Sequence, residues 1–449
     1  MSLFRRKKTN KNNEVRKQEI MKALQSYLIG GGAVLWYSFD AEDFITNGYT
    51  SNADIYSIIK KIVDKANVAT PYIYIDKEGV KSKKYLTTKY FRDTPIGAAK
   101  HRLEVRKALD FADKDLDLVK LLENPNEQQT WREFITLVRV FYHTQGEAFI
   151  YREAGDDDCA LSLHVIPAHR MTPFIENGNL VGWRVYLFNG QYRDFVYDDM
   201  KAILHMKMPN PLFDDKFSHF RGLSPLVAGL KYLKLDDVAI ESWVKSVENE
   251  GAKGLISPNH PNPELWLTPD QVDKTQDTVD KKIHGTDNKN KIVVSAMPLQ
   301  YTQIGLSPDA LNIIQGLDHA GYKLCDLWGV PATLFDPNPT YQNMKAASER
   351  FVKEVILPYL SAEEDKLNSW LVEPFKIRDK KNYVIDYDLS SYDELRLSVD
   401  QTDAFLKTHT INEVRVMLGS DELEEEYANQ VFVQQGFVPL SDYDIDIQI

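Results

Sequence analysis

The fold is decided by residues 224–250, whose sequence is SPLVAGLKYLKLDDVAIESWVKSVENE. The hydroxyl of Ser224 can accept a hydrogen bond from one of the free N–H groups at a helix start. Pro225 suits the first helical position, because the N–H that proline lacks has no helical partner there. Apolar residues then recur at helical spacing along one face. The stretch therefore predicts one helix that begins at Pro225 and is roughly 40 Å long.

Two further helix starts repeat this hydroxyl–proline pair, at Thr268-Pro269 and at Ser307-Pro308. The helix that begins at Pro308 is predicted to run to about Trp328. Between the two long helices, apolar runs predict a small strand–helix–strand–strand module. Its predicted strands are Gly254 to Ser257, Ile292 to Ser295 and Leu299 to Ile304. The centre of the chain is thus a small α/β module bracketed by two long helices.

The chain after this module is predicted to be a loop followed by another long helix. The loop is indicated by prolines between Pro331 and Pro339, and the helix begins near Tyr341. Pro358 lies inside the helix, where proline removes one hydrogen bond and clashes with the preceding turn, so we expect a kink or a break there. The next predicted elements are the strand Tyr383 to Leu389 and the helices Val399 to Lys407 and Asn412 to Leu418.

The part of the chain before Asn210 predicts an α+β domain. One helix face runs from Asn52 to Ala66, and Thr130-x-x-Glu133 predicts a capping box at the start of a second helix. Two Asn-Gly pairs predict hairpin turns. The predicted strands are Tyr72 to Ile75, Glu147 to Arg152, Leu161 to Ile166, Leu180 to Phe188 and Ala202 to Met206.

Composition and charge limit the possible classes of protein. The chain has 449 residues, 43% hydrophobic and 27% charged, which is enough to bury the cores of about three domains. A net charge of −12 argues against a protein that coats nucleic acid. No run reaches the roughly 18 apolar residues of a membrane span, and we expect a product made in the cytoplasm. Cys159 and Cys325 are too few for a disulfide framework or a zinc site and are expected to be reduced and buried.

The two ends of the chain carry opposite charge. The stretch from Met1 to Lys22 is strongly basic and is expected to be a flexible arm, which either touches nucleic acid or only keeps the protein soluble. The stretch from His409 to Ile449 is strongly acidic and is expected to end in a solvated tail.

Motifs for catalysis or cofactor binding are missing from the sequence. There is no G-x-x-x-x-G-K-[ST] phosphate loop and no H-E-x-x-H zinc motif. Gly222-Leu223-Ser224 begins like a nucleophile elbow, but Pro225 removes a backbone N–H that an oxyanion hole needs. Ser224 is therefore predicted to be a helix cap, and we expect no catalytic residue, no metal and no cofactor.

Several segments together resemble the portal proteins of tailed bacteriophages, the head-to-tail connectors of the capsid. Each segment is weak alone, but they occur in the family's order over roughly residues 50–420. They are Leu121–Asn126, Gly146–Tyr151, Arg221–Leu226, Leu306–Asp309, Trp328–Leu334, Tyr341–Asn343, Leu357-Pro358 and Thr410–Arg415. Two departures are Trp328, where the family often has another aromatic residue, and a partly missing glycine-rich stretch near the middle.

The resemblance implies an α+β portal-type fold that assembles into a ring, usually of about twelve subunits. It implies the following division: a basic arm and leading segment (1–50), an α+β wing (51–221), a first stem helix (222–250), a clip (251–305), a second stem helix (306–329), a tunnel loop (330–343), a kinked helix with a wing return strand (344–398), and a crown with the acidic tail (399–449).

The resemblance also implies a function. The ring would be a channel at one capsid vertex through which double-stranded DNA is packaged and ejected. Its implied partners are the large terminase subunit, the major capsid protein and a head-completion or adaptor protein, with no membrane. The protein would be assembled in the host cytoplasm and act in the virion as a conduit rather than an enzyme. An acidic wall fits this role, since weak repulsion lets the duplex slide.

Site residues follow from these implied regions. In the tunnel loop, the candidates for DNA contact are Thr333, Leu334, Phe335, Asn338, Tyr341 and Asn343. On the stem helices, the candidates for channel lining are Lys231, Lys234, Lys245 and Lys323. The structural candidates are Ser224, Pro225, Ser307, Pro308, Pro331 and Pro358.

Alternatives stay open at two levels. The loop could pack only against a neighbouring subunit, and the lysines could face solvent or pair with Glu241 and Asp326. The whole protein could instead be a capsid or head–tail adaptor that forms no channel, or a metal-dependent enzyme acting on nucleic acid.

Overall fold

The computed structural model describes residues 44–80, 83–187, 191–214, 217–234, 237, 240, 254–258, 268, 270, 274, 299–303 and 313–431. These residues form two compact units. The first contains the described residues up to Val227 and from Gly329 onward, and the second those from Ala228 to Trp328. The basic arm, most of the acidic tail, the strand Ile292 to Ser295, Lys245, Ser307 and Pro308 lie outside the described residues.

The first unit contains three antiparallel sheets of three strands, with the orders β11-β1-β2, β4-β3-β8 and β5-β6-β7. Its strands are β1 (Thr70–Asp76), β2 (Leu109–Phe111), β3 (Glu147–Ala154), β4 (Ala160–Ile166), β5 (Met171–Glu176), β6 (Asn179–Tyr186), β7 (Tyr192–Val196), β8 (Ile203–Lys207) and β11 (Tyr383–Asp388). All five strands predicted before Asn210 are present, and so is the strand at Tyr383. The register of β1 joins distant parts of the chain, since Thr70 lies opposite Asp388.

Helices cover these sheets. They are α1 (Ala53–Ala66), α2 (Lys84–Thr88), α3 (Pro95–Ala108), α4 (Asp117–Glu123), α5 (Trp131–Gln145), α8 (Tyr341–Phe351), α9 (Leu357–Leu367), α10 (Glu373–Asp379), α11 (Val399–Leu406) and α12 (Ile411–Met417). A π-helical turn, Phe44–Tyr49, precedes α1. Short 3₁₀ turns occupy Lys89–Phe91, Ala168–Arg170, Tyr197–Ala202, Ser218–Phe220, Ala332–Phe335, Asp393–Leu395 and Glu426–Asn429.

The central helix of the first unit is α5. Its predicted capping box is confirmed: the Glu133 N–H donates to Thr130 Oγ1 at 3.4 Å, and the Thr130 N–H donates to Glu133 Oε2 at 2.9 Å. One face of α5 contributes Phe134 and Val138 to the largest core, which also contains Leu371 and Phe375 from the C-terminal part of the chain. The core of this unit is therefore built from segments on both sides of the inserted second unit.

The long helix is not broken at Pro358, so of the two predicted alternatives, a kink or a break, the break is wrong. Helical structure continues from Tyr341 to Asp379, with π-helical turns at Val352–Ile356 and Asn368–Val372 between α8, α9 and α10. The Leu357 N–H bonds to Val352 O, five residues back, so the widened turn just before the proline accommodates a residue that has no N–H and would clash with a regular turn. The second π turn precedes Pro374 in the same way.

The described residues of the second unit include parts of two long helices and a two-stranded antiparallel sheet. Helix α6 begins at residue 225, at the end of the first unit, and is described to residue 234, and α7 spans Ile313–Leu327. The strands β9 (Gly254–Pro258) and β10 (Leu299–Gln303) confirm two of the predicted module strands. The helices pack closely, since a Cβ on Gly229 would lie 2.3 Å from Leu327 Cδ1. Glycine at this position therefore permits the contact between α6 and α7.

Two kinds of feature are absent from the described part of the chain. No helix there is long and apolar enough to cross a membrane. No group of three or more His, Cys, Asp or Glu side chains in those ranges is arranged to hold a metal ion. Both cysteines are buried and free, as predicted.

Candidate functional site

The candidate site consists of the two places where the chain passes between its units. We call residues 221–227 the outgoing junction and residues 329–343 the return junction. The predicted cap at Ser224, the prolines Pro225 and Pro331, and the candidate DNA-contacting residues all lie in these two segments. Each junction makes contacts within the first unit.

Ser224 is the cap of α6, as the sequence predicts. Its Oγ accepts a hydrogen bond from the Leu226 N–H at 3.2 Å and donates one to Thr144 O at 2.6 Å. Because Thr144 lies in the last turn of α5, one hydroxyl both caps the new helix and joins it to the end of another. Pro225 occupies the first helical position.

Glu147 fixes the outgoing junction to strand β3. Its carboxylate accepts from Arg221 Nε at 2.7 Å and from the Gly222 N–H at 2.8 Å, and it lies 2.9 Å from His205 Nε2. Burial alone would raise the pKa of Glu147, but the His205 hydrogen bond and the Arg221 charge outweigh it and hold that pKa below its ordinary value. The carboxylate therefore stays ionised while bound to three donors.

Two glycines allow the backbones at this junction to touch. Gly146 has a φ of +78°, and a Cβ there would lie 2.4 Å from the carbonyl carbon of Leu223. A Cβ on Gly222 would lie 2.2 Å from Gly146 O. No side chain fits in either place, so the glycines in these two motifs serve the close approach of the chain segments that carry them.

The return junction is a 3₁₀ turn, a short loop and a helix start. Thr333, Leu334 and Phe335 lie in the turn, and Asn338 lies in the loop. Thr340 caps α8 by accepting from the Asn343 N–H at 3.3 Å. Tyr341 and Asn343 consequently belong to the first turn of α8, and Tyr341 is 82% exposed.

Helix α1 holds the return junction from one side. Lys61 Nζ donates to Leu334 O at 3.0 Å and lies 4.8 Å from the centroid of the Phe335 ring. One turn later on α1, Lys65 Nζ lies 2.7 Å from a carboxylate oxygen of Glu394, which also accepts from the hydroxyl of Ser348 on α8. Helix α1 is thus linked to the turn directly and to α8 through Glu394.

A buried ion pair anchors the long helix that continues from this junction. Arg139 on α5 donates to Glu363 on α9 through Nε at 3.1 Å and Nη2 at 2.6 Å. The hydroxyls of Tyr359 and Tyr387 donate to the same carboxylate, the first at 2.6 Å. Burial would raise the pKa of Glu363, but Arg139 and the two hydroxyls outweigh it and hold that pKa below its usual value.

A second buried group lies one residue further along α9. Arg92 contacts Glu364 and Asp386 at 3.0 Å each, and Lys89 contacts Glu364 at 3.0 Å. His101 Nε2 is 3.2 Å from Asp386 Oδ1. Consecutive carboxylates of α9 are therefore held by cations from α5 and from the segment around Arg92.

His143 gives this anchor a dependence on pH. It is buried on α5, its ring centroid lies 4.9 Å from that of Tyr359, and burial lowers its pKa to about 3. The unfolded chain binds a proton at this histidine below about pH 6.5, whereas the folded chain does not until about pH 3. Stability therefore falls as the pH drops through this window.

We expect the free energy of unfolding of the native protein to fall by about 2 kcal/mol more than that of the His143→Gln variant between pH 7 and pH 5. Urea denaturation at each pH measures this difference. His164→Gln, at an exposed histidine, is the control and should follow the native protein. An identical pH slope for His143→Gln and the native protein would contradict the assignment.

The stem lysines are only partly described. Lys323 lies 3.2 Å from Asp326 on the same helix, which is the pairing offered above as the alternative to DNA contact. Lys231 is exposed and Lys234 is partly buried. No described contact assigns any of them to a channel, and Lys245 lies outside the described residues.

Comparison with known proteins identifies the family. The sequence matches the phage portal protein family over residues 97–419. The fold is similar to a chain in the neck of an empty gene transfer agent particle, with a TM-score of 0.60, 20% identity, and coverage of 86% of this chain and 94% of that one. A chain in the neck of the native particle has a TM-score of 0.60 and 19% identity, with coverage of 86% of this chain and 94% of that one. A chain in the virion of the native particle has a TM-score of 0.60 and 18% identity, with coverage of 89% and 99%. No curated protein sequence matches significantly.

The chain therefore belongs to the phage portal protein family, whose members are structural proteins of a capsid vertex. The matched range contains both junctions, β3 and the anchored helix. The resemblance inferred from the ordered motifs is confirmed, and so is the α+β portal fold.

Sequence reasoning missed most of the side chains that hold the junctions. Glu147 and Arg221 lie beside the glycines of two recognised motifs, and that position was the available signal. Arg139, Glu363 and Lys61 carry no such signal, because each lies on an ordinary amphipathic helix and finds its partner far along the chain.

Proposed function

We propose that the protein is the subunit of a ring-shaped channel at one capsid vertex, through which double-stranded DNA is packaged and ejected. The observation that carries the proposal is the pair of anchored junctions in a chain of the portal family. The chain leaves the first unit at the outgoing junction, which is hydrogen-bonded through Glu147 and Ser224, and returns at the return junction, which Lys61 binds. Fixed junctions of this kind let a channel wall keep its shape while DNA moves past it.

We propose that the subunits assemble into a ring of twelve. The neck of the native gene transfer agent particle, which has a similar fold, was computed with C12 symmetry, and that of the empty particle with C6 symmetry. Repeated head-to-tail contacts between identical subunits close into a ring when the rotation per subunit divides a full turn. The subunit number of this protein follows from the measurement below.

DNA contact is proposed at the return junction. Tyr341 is 82% exposed and Phe335 is 36% exposed, and both flank the loop that contains Asn338. Thr333, Leu334 and Asn343 belong to the same junction. The net charge of −12 supports sliding over tight binding, because a wall that neutralised many phosphates would hold the duplex in place.

The proposed partners follow the regions named above. The module of residues 251–305 would meet the large terminase subunit and later the head-completion or adaptor protein. The first unit would meet the major capsid protein, and residues 399–449 would form the crown. We propose assembly in the host cytoplasm and a final location at the portal vertex of the virion.

Electron microscopy of the purified full chain, with light scattering for the mass, tests the proposal. Rings with a duplex-sized hole would support it. A monomer or dimer that persists across salt and protein concentration, and also when scaffold and capsid proteins are added, would contradict it and favour an adaptor that forms no channel.

We expect deletion of Phe335 to Pro339 to leave the ring intact and to reduce DNA packaging at least tenfold, because the deletion removes the loop but keeps the helix cap at Thr340. Packaged DNA per particle and ring images are the measurements. Loss of ring formation would indicate that the loop is a subunit interface. Normal packaging would contradict its role in contacting DNA in the channel.

A further inference from the structure

We propose that Lys61 is the positioning residue of the return junction: it fixes the turn at Leu334 and Phe335, so that only residues 336–340 can move in response to DNA. The part about DNA rests on the proposed function. The part about positioning rests on contacts within the first unit alone.

Lys61 binds the backbone carbonyl of Leu334. Within the 3₁₀ turn, the Leu334 N–H bonds to Pro331 O, and the Asp336 N–H bonds to Thr333 O. Leu334 O lies outside this pair of hydrogen bonds and receives Lys61 Nζ at 3.0 Å. The ammonium thus holds a carbonyl that the turn's own hydrogen bonds do not use.

Lys61 also contacts the ring of Phe335, the residue that follows this carbonyl. Lys61 Nζ lies 4.8 Å from the centroid of Phe335, within the range in which an ammonium is attracted to an aromatic face. One side chain therefore binds the backbone at Leu334 and the side chain of the next residue. This double contact fixes both the position and the rotation of the turn.

Helix α1, which carries Lys61, is itself capped and well packed. Helix α1 is capped by Asn52, whose side chain accepts from the Ile55 N–H at 3.0 Å, and it buries Ile55, Ile59 and Ile62 completely. Lys65, on the same helix, is tied through Glu394 to Ser348 on α8. Helix α1 therefore binds the chain before the loop directly, through Lys61, and the helix after the loop through Glu394.

Residues 336–340 are a part of the return junction that Lys61 does not hold. Between Phe335 and the Thr340 cap, the described hydrogen bond is local, from the Asn338 N–H to Asp336 Oδ1 at 2.9 Å. Pro337 and Pro339 limit this stretch to a few backbone conformations. The loop can therefore change only among these few conformations, while Lys61 fixes the turn at its base.

Hydrogen–deuterium exchange of the purified full chain tests the positioning role. Lys61→Met should raise the exchange rate of the Leu334 and Asp336 amides about tenfold and leave the amides of α1 and β1 unchanged. Lys61→Arg, which keeps a donor and a charge over the ring, should stay within about threefold of the native rate. Lys60→Met is the matched control, because Lys60 is exposed and pairs with Asp64 on its own helix.

The outcomes separate cleanly. Unchanged exchange in Lys61→Met, or an equal rise in Lys60→Met, would overturn the proposal. A rise that extends through α1 would assign Lys61 a general structural role instead. A failure of Lys61→Arg to restore slow exchange would also contradict it.

Packaging distinguishes this inference from the proposed function. If the Phe335–Pro339 deletion reduces packaging, Lys61→Met should reduce it severalfold in rings of normal shape. If the deletion has no effect on packaging, the DNA contact is wrong, whereas the exchange result still decides whether Lys61 sets the turn.

Discussion

Replacing Arg139 with Met is expected to lower the free energy of unfolding by about 3–5 kcal/mol, the usual cost of leaving a buried charge without its partner. Arg139 and Glu363 have side chains that are 1% and 0% exposed, and the arginine makes two of the four hydrogen bonds that the carboxylate accepts. In the variant Glu363 must stay ionised without a cation or take up a proton. Urea denaturation, followed by circular dichroism, measures the loss.

The chain offers a matched control for this prediction. Arg184 and Asp194 form the same two-bond geometry, at 2.7 and 2.9 Å, but their side chains are about a third exposed. Arg184→Met should therefore cost much less stability than Arg139→Met, because solvent screens this pair. The double change Arg139→Met with Glu363→Met should recover part of the loss, because it removes both buried charges. Equal costs for the two single variants would show that burial of the pair is not what matters.

Gly146→Ala is expected to lower the free energy of unfolding by about 3 kcal/mol or more, because two penalties act together. The backbone there has a φ of +78°, which costs a non-glycine residue about 1–2 kcal/mol. The new Cβ would also lie 2.4 Å from the backbone of Leu223, so the outgoing junction would have to move away from β3. Denaturation gives the stability, and ring images show whether the displaced junction still allows assembly.

Gly79→Ala separates the two penalties. Gly79 has a φ of +80°, and a Cβ there would meet nothing within 4 Å. This variant should lose only the part that comes from backbone conformation, about 1–2 kcal/mol, and should form normal rings. If both variants lose the same stability, the contact between Gly146 and Leu223 contributes little.

Local signals in the sequence predicted most of the element starts. The Ser224-Pro225 pair and the Thr130 capping box depend on residues a few positions apart, and both are present in the structure. Alternating apolar residues predicted the main strands for the same reason. Strands β2, β5 and β7 and helices α2, α3 and α4 were not predicted, because they are short or, like α3, lack a clear apolar stripe.

The support of the junctions could not be predicted, because its partners are distant in the chain. Arg139 and Glu363 are 224 positions apart, and Lys61 and Leu334 are 273 apart. A single sequence gives no signal that pairs such residues. The π turn before Pro358 could not be predicted either, because a turn that absorbs a proline depends on the packing of buried residues such as Val352 and Ile356.

The position of β1 between β2 and β11 has a consequence for synthesis on the ribosome. Thr70 pairs with Asp388, so the sheet lacks one of its edge strands until more than 300 residues after β1 have been translated. At about 5–20 residues per second, this delay is roughly 15–60 s. During that time β1 presents unpaired backbone groups on a nascent chain, next to other chains growing on the same message. A chaperone that shields the free edge of this strand would keep neighbouring nascent chains from pairing with each other before each can close its own sheet.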